Sequence, residues 1–261
     1  MYVGLAWHFW HSRWRREGRE GRAGLRGWER AAILVPLALH GGLLYQGVFS
    51  AEPRFGFAPA LSVMMFLGVA LYWAESLFYD LEGMQPLVLP LAALAAPLPA
   101  LFPGLALSGA HAQAAEFKLH LALAMMAYGL FVIALLHATL MAVVERQLHR
   151  KGTLAFPQLP PLLTLEALLF RMIGAAFVFL TLTLITGIAF SETLFGRALR
   201  FDHKTVFAVL SWLTFGLLLA GRWRYGWRGR TALRWTLTGF VMLLLAYVGS
   251  RFVLEVLLGR S

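Results

Sequence analysis

Four of the eight histidines lie in or at the edge of long apolar runs, and these are the side chains best suited to hold a metal. His40 and His137 fall deep within such runs, His120 lies about one turn inside the far end of the run that carries His137, and His203 opens a later one. A neutral imidazole binds iron through either ring nitrogen, and burying it in an apolar run is costly without a partner, so each is a functional candidate. Spacing limits the combinations. His120 and His137 are seventeen residues apart, about 25 Å along a helix and roughly 100° around it, too far for one iron. Two layers remain: an outer His120 with His203, and an inner His40 with His137. A low-spin haem takes two axial imidazoles from facing helices, so each layer could hold a haem b. The other reading of each inner histidine is a hydrogen bond between helices. His111, in an outer loop, is a third outer candidate or simply a solvated loop residue. His8, His11 and His149 stand beside arginines and read as interfacial.

The elements that must position these residues follow from composition. Of the 261 residues 59% are hydrophobic and only 14% charged, too few to cover a water-exposed surface, so the chain reads as an all-α polytopic membrane bundle. A net charge of +10 would suggest nucleic acid in a soluble protein, but here the arginines lie between apolar runs and answer to topology. The absence of cysteine excludes disulfides, thiolate metal sites, thiol nucleophiles and thioether attachment of haem to this chain.

Apolar runs of membrane-spanning length fall near 31–50, 58–80, 86–103, 116–144, 164–190, 203–221 and 235–257, seven spans in one domain covering 1–261. Residues Met1–Trp10 resemble the end of a further span and suggest a truncated start. The prolines at 86, 90, 97, 99 and 103 predict a short, kinked 86–103 helix at the periphery. Basic residues set the orientation: fifteen lie in 11–30, 145–163 and 222–234, against five in or near 51–57, 104–115 and 191–202. The first set is therefore cytoplasmic, the second external, and the C-terminus external with it. Other polar residues at depth have structural readings. Glu75 is expected to snorkel or pair with an arginine, a proton or ion role being its other reading, Glu166 and Arg171 to find partners on adjacent helices, and Thr181, Thr183 and Thr186 to donate hydrogen bonds between helices. No phosphate-binding loop, HExxH or serine–histidine arrangement is present.

Several of these residues lie in recognisable motifs. Leu119-His120 through Tyr128 resembles the His-x7-Tyr signature of the cytochrome c assembly membrane proteins, the CcsA/HemX family. Phe201-Asp202-His203-Lys204 through Trp212 falls where haem-handling members carry Trp-Asp-Pro-Lys and a later Trp. The segments beginning at Pro160, Leu180, Gly226 and Ala246 resemble the YpjD-like branch of that family, and the similarity runs from about residue 28 to the end. The resemblance implies an inner-membrane helical bundle that binds haem or passes it outward for cytochrome c maturation. It places His120 at the first outer histidine and His40 at the first intramembrane one, and makes Asp202, Lys204 and Trp212 remnants of the tryptophan-rich WWD segment. The pattern also departs from the family's. Phe201 stands where a WWD tryptophan is expected, Ala220 occupies the place of the second intramembrane histidine, and Tyr247–Leu258 carries no second outer histidine. His203 and His137 are the candidates to substitute.

Two functions are therefore expected: a haem-binding or haem-handling membrane protein without an intact WWD motif and with no catalytic residue assigned, or a non-catalytic scaffold or regulator that has lost haem. Its partners would be the bilayer together with cytochrome c maturation factors or another membrane protein. A transporter reading rests on Glu75 and the buried threonines alone.

Overall fold

The computed structural model describes residues 1–14, 27–48, 54–81, 83–106, 114–149, 161–195 and 202–258, and almost all of them are helical. The helices are α1 (Tyr2–Phe9), α2 (Gly27–Val48), α3 (Phe57–Glu75), α4 (Gln85–Ala95), α5 (Leu98–Leu101), α6 (Ala115–His149), α7 (Leu162–Phe195), α8 (His203–Tyr225) and α9 (Gly229–Leu257), the last interrupted by two π-helical stretches. Among the described residues, α3, α6, α7, α8 and α9 are long and apolar enough to cross a membrane. The other two expected spans take different forms. The 31–50 run is the 22-residue α2. The 86–103 run is not one helix: it breaks between α4 and α5 at Ala96 and Pro97, where proline cannot extend the hydrogen-bond ladder.

Helix α6, 35 residues long, is the spine. On one flank it packs against α3, which carries α2 and α4; on the other it packs against α7 and α9, with α8 lying between those two. Small residues set how closely the spine is approached. A Cβ on Gly129 of α6 would stand 2.7 Å from Leu67 Cβ of α3, and one on Gly68 3.2 Å from Val132. Phe131 of α6 stacks on Phe215 of α8 at 3.9 Å, and Ser211 of α8 donates to the Gly239 carbonyl of α9 at 2.9 Å. The core is thus a dry stripe of Phe131, Ile133, Leu140 and Leu169 with few polar atoms.

Both ends of the bundle are tied. At one, the short strands β1 (Arg54–Phe55) and β2 (Leu105–Ala106) pair antiparallel, Arg54 opposite Ala106. Gly104 admits this clasp: its φ is +74° and a Cβ there would meet the Phe55 carbonyl carbon at 2.7 Å. At the other, α8 ends on Gly226 with φ +65°, turning the chain so that Trp227 folds over Gly221, where no side chain could fit. Around that turn Glu166 of α7 binds Arg222 at 2.5 Å and Arg228 at 3.4 Å, Glu145 of α6 binds Arg230 at 3.6 Å, and Arg171 donates to Tyr79 at 3.0 Å. Glu166 thus finds a partner on the adjacent α8, as expected, whereas Arg171 is bound by Tyr79 in the turn that follows α3.

Replacing Gly129 by leucine should force α3 off α6 and destabilise the detergent-solubilised protein by about 1–3 kcal/mol. Gly42→Ala, where nothing lies within 4 Å, should leave thermal unfolding essentially unchanged; equal effects from the two substitutions would contradict the close α3–α6 contact.

Candidate functional site

Each histidine at depth reaches its position through a different helix pair. His40, on α2, is 2% exposed. Its Nε2 lies 2.8 Å from Ser62 Oγ of α3 and its Nδ1 3.4 Å from the Tyr2 hydroxyl of α1, with Tyr2 and Phe66 edge-on to the ring. Both ring nitrogens are occupied by protein hydroxyls. No signal along the chain pointed to the Tyr2 contact, because Met1–Trp10 is too short to be placed as a span on its own.

His137, on α6, is fully buried. Its Nδ1 donates to the Ile133 carbonyl one turn earlier at 2.9 Å, an acceptor that fixes the proton on Nδ1. Its Nε2 faces Glu75 Oε2 of α3 at 3.5 Å. Glu75 therefore does not pair with an arginine as expected, but with this imidazole.

The inner layer expected of His40 and His137 does not form. Their partners Ser62 and Glu75 are thirteen residues apart on α3, about 20 Å of helix rise, so the two rings lie at different heights. The expectation measured depth from helix ends, and the ends are not level: Glu75 closes α3, whereas α6 continues twelve residues past His137.

At the opposite end, His120 of α6 is half-buried against α7. Its Nδ1 lies 3.0 Å from Thr186 Oγ1, and its Cε1 is 3.3 Å from where a Cβ on Gly187 would stand. The Thr186 hydroxyl proton is directed to the Leu182 carbonyl at 2.8 Å or the Thr183 carbonyl at 3.1 Å. Its oxygen accepts the Nδ1 proton, and the Thr183 carbonyl also hydrogen-bonds the ring; a proton on Nδ1 leaves Nε2 with its lone pair. The threonines do not donate between helices as expected: Thr181, Thr183 and Thr186 donate to carbonyls of their own helix, and Thr181 and Thr186 accept from neighbours. Thr181 accepts the Trp212 indole N–H at 2.9 Å, and Trp212 stacks on Phe177 at 5.5 Å.

His203 is the exposed first residue of α8, and among the described residues no hydrogen bond joins it to His120. With Trp212 level with Thr181 and His120 level with Thr186, the helical rise puts His203 about 6 Å further out than His120. Asp202 caps α8: it accepts from Thr205 N at 3.0 Å and Thr205 Oγ1 at 3.1 Å. Partial burial pushes its carboxyl up, but those two bonds and the nearby Lys204 and His203 more than offset it, so it titrates below the usual aspartate range. Lys204, the second residue of α8, is half-buried, and Ala220 is exposed on α8. His111 and Phe201 lie outside the described residues. The donor set thus fits an iron ligand at His120, where a lone pair is held ready, and at the exposed His203; it does not fit one at His40 or His137, whose outward nitrogens already face protein groups. Among the described residues no cluster of three or more metal-ligating side chains occurs.

Truncating His40 to alanine should leave the Ser62 and Tyr2 hydroxyls without their partner and cost about 1–3 kcal/mol in detergent unfolding. An unchanged melting curve would show that the ring is not a structural link between α1, α2 and α3.

The family model described as cytochrome C assembly protein matches residues 30–258. The inner membrane protein YpjD of Escherichia coli strain K12 is 34% identical over 138 residues, 53% of this chain and 52% of that protein. An uncharacterized 28.8 kDa protein from Azospirillum brasilense is 37% identical over 142 residues, 54% of this chain and 52% of its own. The cytochrome c biogenesis protein CcsA of Chlamydomonas reinhardtii is 28% identical over 145 residues, 55% of this chain and 40% of that protein. These alignments span about half or less of each relative's length, and no solved structure matches. The family match covers the helices that carry His40, His120, His137 and His203, and the chain belongs to the cytochrome c assembly protein family.

Proposed function

We propose that this protein is a haem-handling component of the bacterial inner membrane, with its haem contact at the outer end of the bundle. His120 is the primary ligand and His203 the second. The observation that carries this reading is the Thr186 contact, which takes the Nδ1 proton and leaves the Nε2 lone pair, through which His120 would hold the iron. Gly187 leaves room beside the ring. Haem b, when bound, supplies an iron that accepts one or two imidazole nitrogens and two propionate carboxylates that seek cations at the interface. Lys204 stands one residue from His203 and offers such a cation, while Trp212 holds α8 against α7 beneath it. His40 and His137 are left out of the ligand set because of the partners described above.

The orientation follows from charge. Arg222, Arg228 and Arg230, with their carboxylate partners, mark the cytoplasmic end, so His120, His203 and the C-terminus face outward. Partners in this reading are other cytochrome c maturation factors. A second reading, a membrane scaffold without haem, is favoured by one observation: Asp202 already has a structural role as a helix cap.

Purified protein expressed with ample haem should show a Soret band. His120→Ala should remove most of it, Thr186→Val should weaken haem affinity about 10- to 100-fold by freeing the tautomer, and His203→Ala should change the coordination signature without abolishing the band. Colourless native protein that co-purifies with a stoichiometric partner would replace this reading with the scaffold.

Asp202 separates the two readings further. Alanine there should cost about 0.5–2 kcal/mol of helix-cap stability and asparagine, which caps as well, almost none. Because the folded carboxyl titrates below its unfolded value, the charged cap stabilises above the unfolded pKa and weakens only as pH falls through the lower folded one. If Asp202→Asn nevertheless alters the haem spectrum, the charge itself belongs to the site.

A further inference from the structure

The described structure holds one buried titratable pair that the haem reading does not use. His137 is fully buried and the Glu75 side chain is 9% exposed. Neither Glu75 oxygen nor His137 Nε2 has a hydrogen bond among the described residues, yet Nε2 and Oε2 stand 3.5 Å apart, facing each other. The second ring nitrogen cannot adjust, since its proton is committed to the Ile133 carbonyl at 2.9 Å.

This arrangement fixes a proton count. With no proton between them, an imidazole lone pair would face a bare carboxylate, leaving an anion in a low-dielectric interior opposite an acceptor. With two, the imidazolium would face a neutral acid and leave a buried cation. With one, the pair is neutral and joined by a hydrogen bond, whichever atom carries the proton. Charged groups on the surrounding elements do not supply an alternative partner. On α7, Arg171 is bound to Tyr79 and Glu166 to Arg222 and Arg228; on α9, Arg230 is bound to Glu145 of α6. Arg30 of α2, whose carbonyl accepts the Trp73 indole two residues before Glu75, has a buried Nε without a hydrogen bond, and among the described residues no ion pair joins it to Glu75.

The geometry assigns Glu75 and His137 to a proton-binding site that holds one exchangeable proton between Nε2 and Oε2. Glu75 is the last residue of α3, at the end of the bundle that carries the arginine pairs, so the site lies within reach of water on that side. A hydronium ion arriving there delivers its proton to the pair and leaves as water. The site is separate from His120 and does not depend on haem being bound.

Infrared difference spectroscopy and histidine ring nitrogen NMR on the full purified chain test this assignment. The native protein at neutral pH should show either a protonated carboxyl band that shifts in D2O or a doubly protonated His137 ring. That signature should be lost in Glu75→Gln, whereas in His137→Gln the carboxyl, left alone in the low-dielectric interior, should carry the proton itself and show the protonated carboxyl band. The double variant Glu75→Gln/His137→Gln, whose amides can hydrogen-bond without any charge, should stay folded and bind one proton fewer per chain. An ionised Glu75 beside a singly protonated His137 in the native protein would overturn the assignment, as would a signature that survives Glu75→Gln. Neither result bears on the Soret band, so this test and the haem test fail independently.

Discussion

An imidazole within a hydrocarbon layer has two nitrogens to satisfy and no water to do it. Most of what is distinctive in this protein follows from how three histidines meet that demand. His40 places both nitrogens near hydroxyls, Ser62 on one helix and Tyr2 on another, and so serves as a link among α1, α2 and α3. His137 gives one nitrogen to its own backbone and turns the other to Glu75. His120 gives one nitrogen to Thr186 and keeps the other. Only the last arrangement leaves a donor unspent, and it occurs at the end of the bundle away from the arginine pairs.

The spine helix makes these differences possible. Because α6 is longer than its neighbours, it carries His137 to the level of the end of α3 and His120 to the level of Thr186, near the far end of α7. Its two faces differ in kind. Toward α3 it offers Gly129 and a close, dry contact in which a single acidic side chain is enclosed; toward α7 and α8 it offers Phe131 in the core and a half-buried imidazole above it. One helix thereby supports two separate polar sites joined only by packed hydrocarbon.

The two ends of the bundle also differ. The arginine-rich end is braced by carboxylates that reach across helices, with Glu166 holding both Arg222 and Arg228. Such pairs at a membrane interface fix the helix ends and leave fewer free charges to act on a ligand. The opposite end has a two-residue strand pair, a helix cap at Asp202, and the exposed His203.

Composition and the apolar periodicity determined the membrane bundle, the helices around 57–75, 115–146, 162–190 and 203–225, and the charge asymmetry that orients them, because length, hydropathy and arginine placement are properties of the chain itself. The His-x7-Tyr stretch around His120 carried the family in the same way. Which side chains meet was not legible there. Helix ends that are not level removed the His40 and His137 layer, and Glu75 turned to an imidazole where an arginine was expected. The tautomer of His120 depends on a hydroxyl sixty-six residues away, whose own proton is claimed by its helix. Sequence spacing fixes rise and rotation along one helix, whereas the relative height and facing of two helices is set by packing between them, and only the tertiary structure decides that.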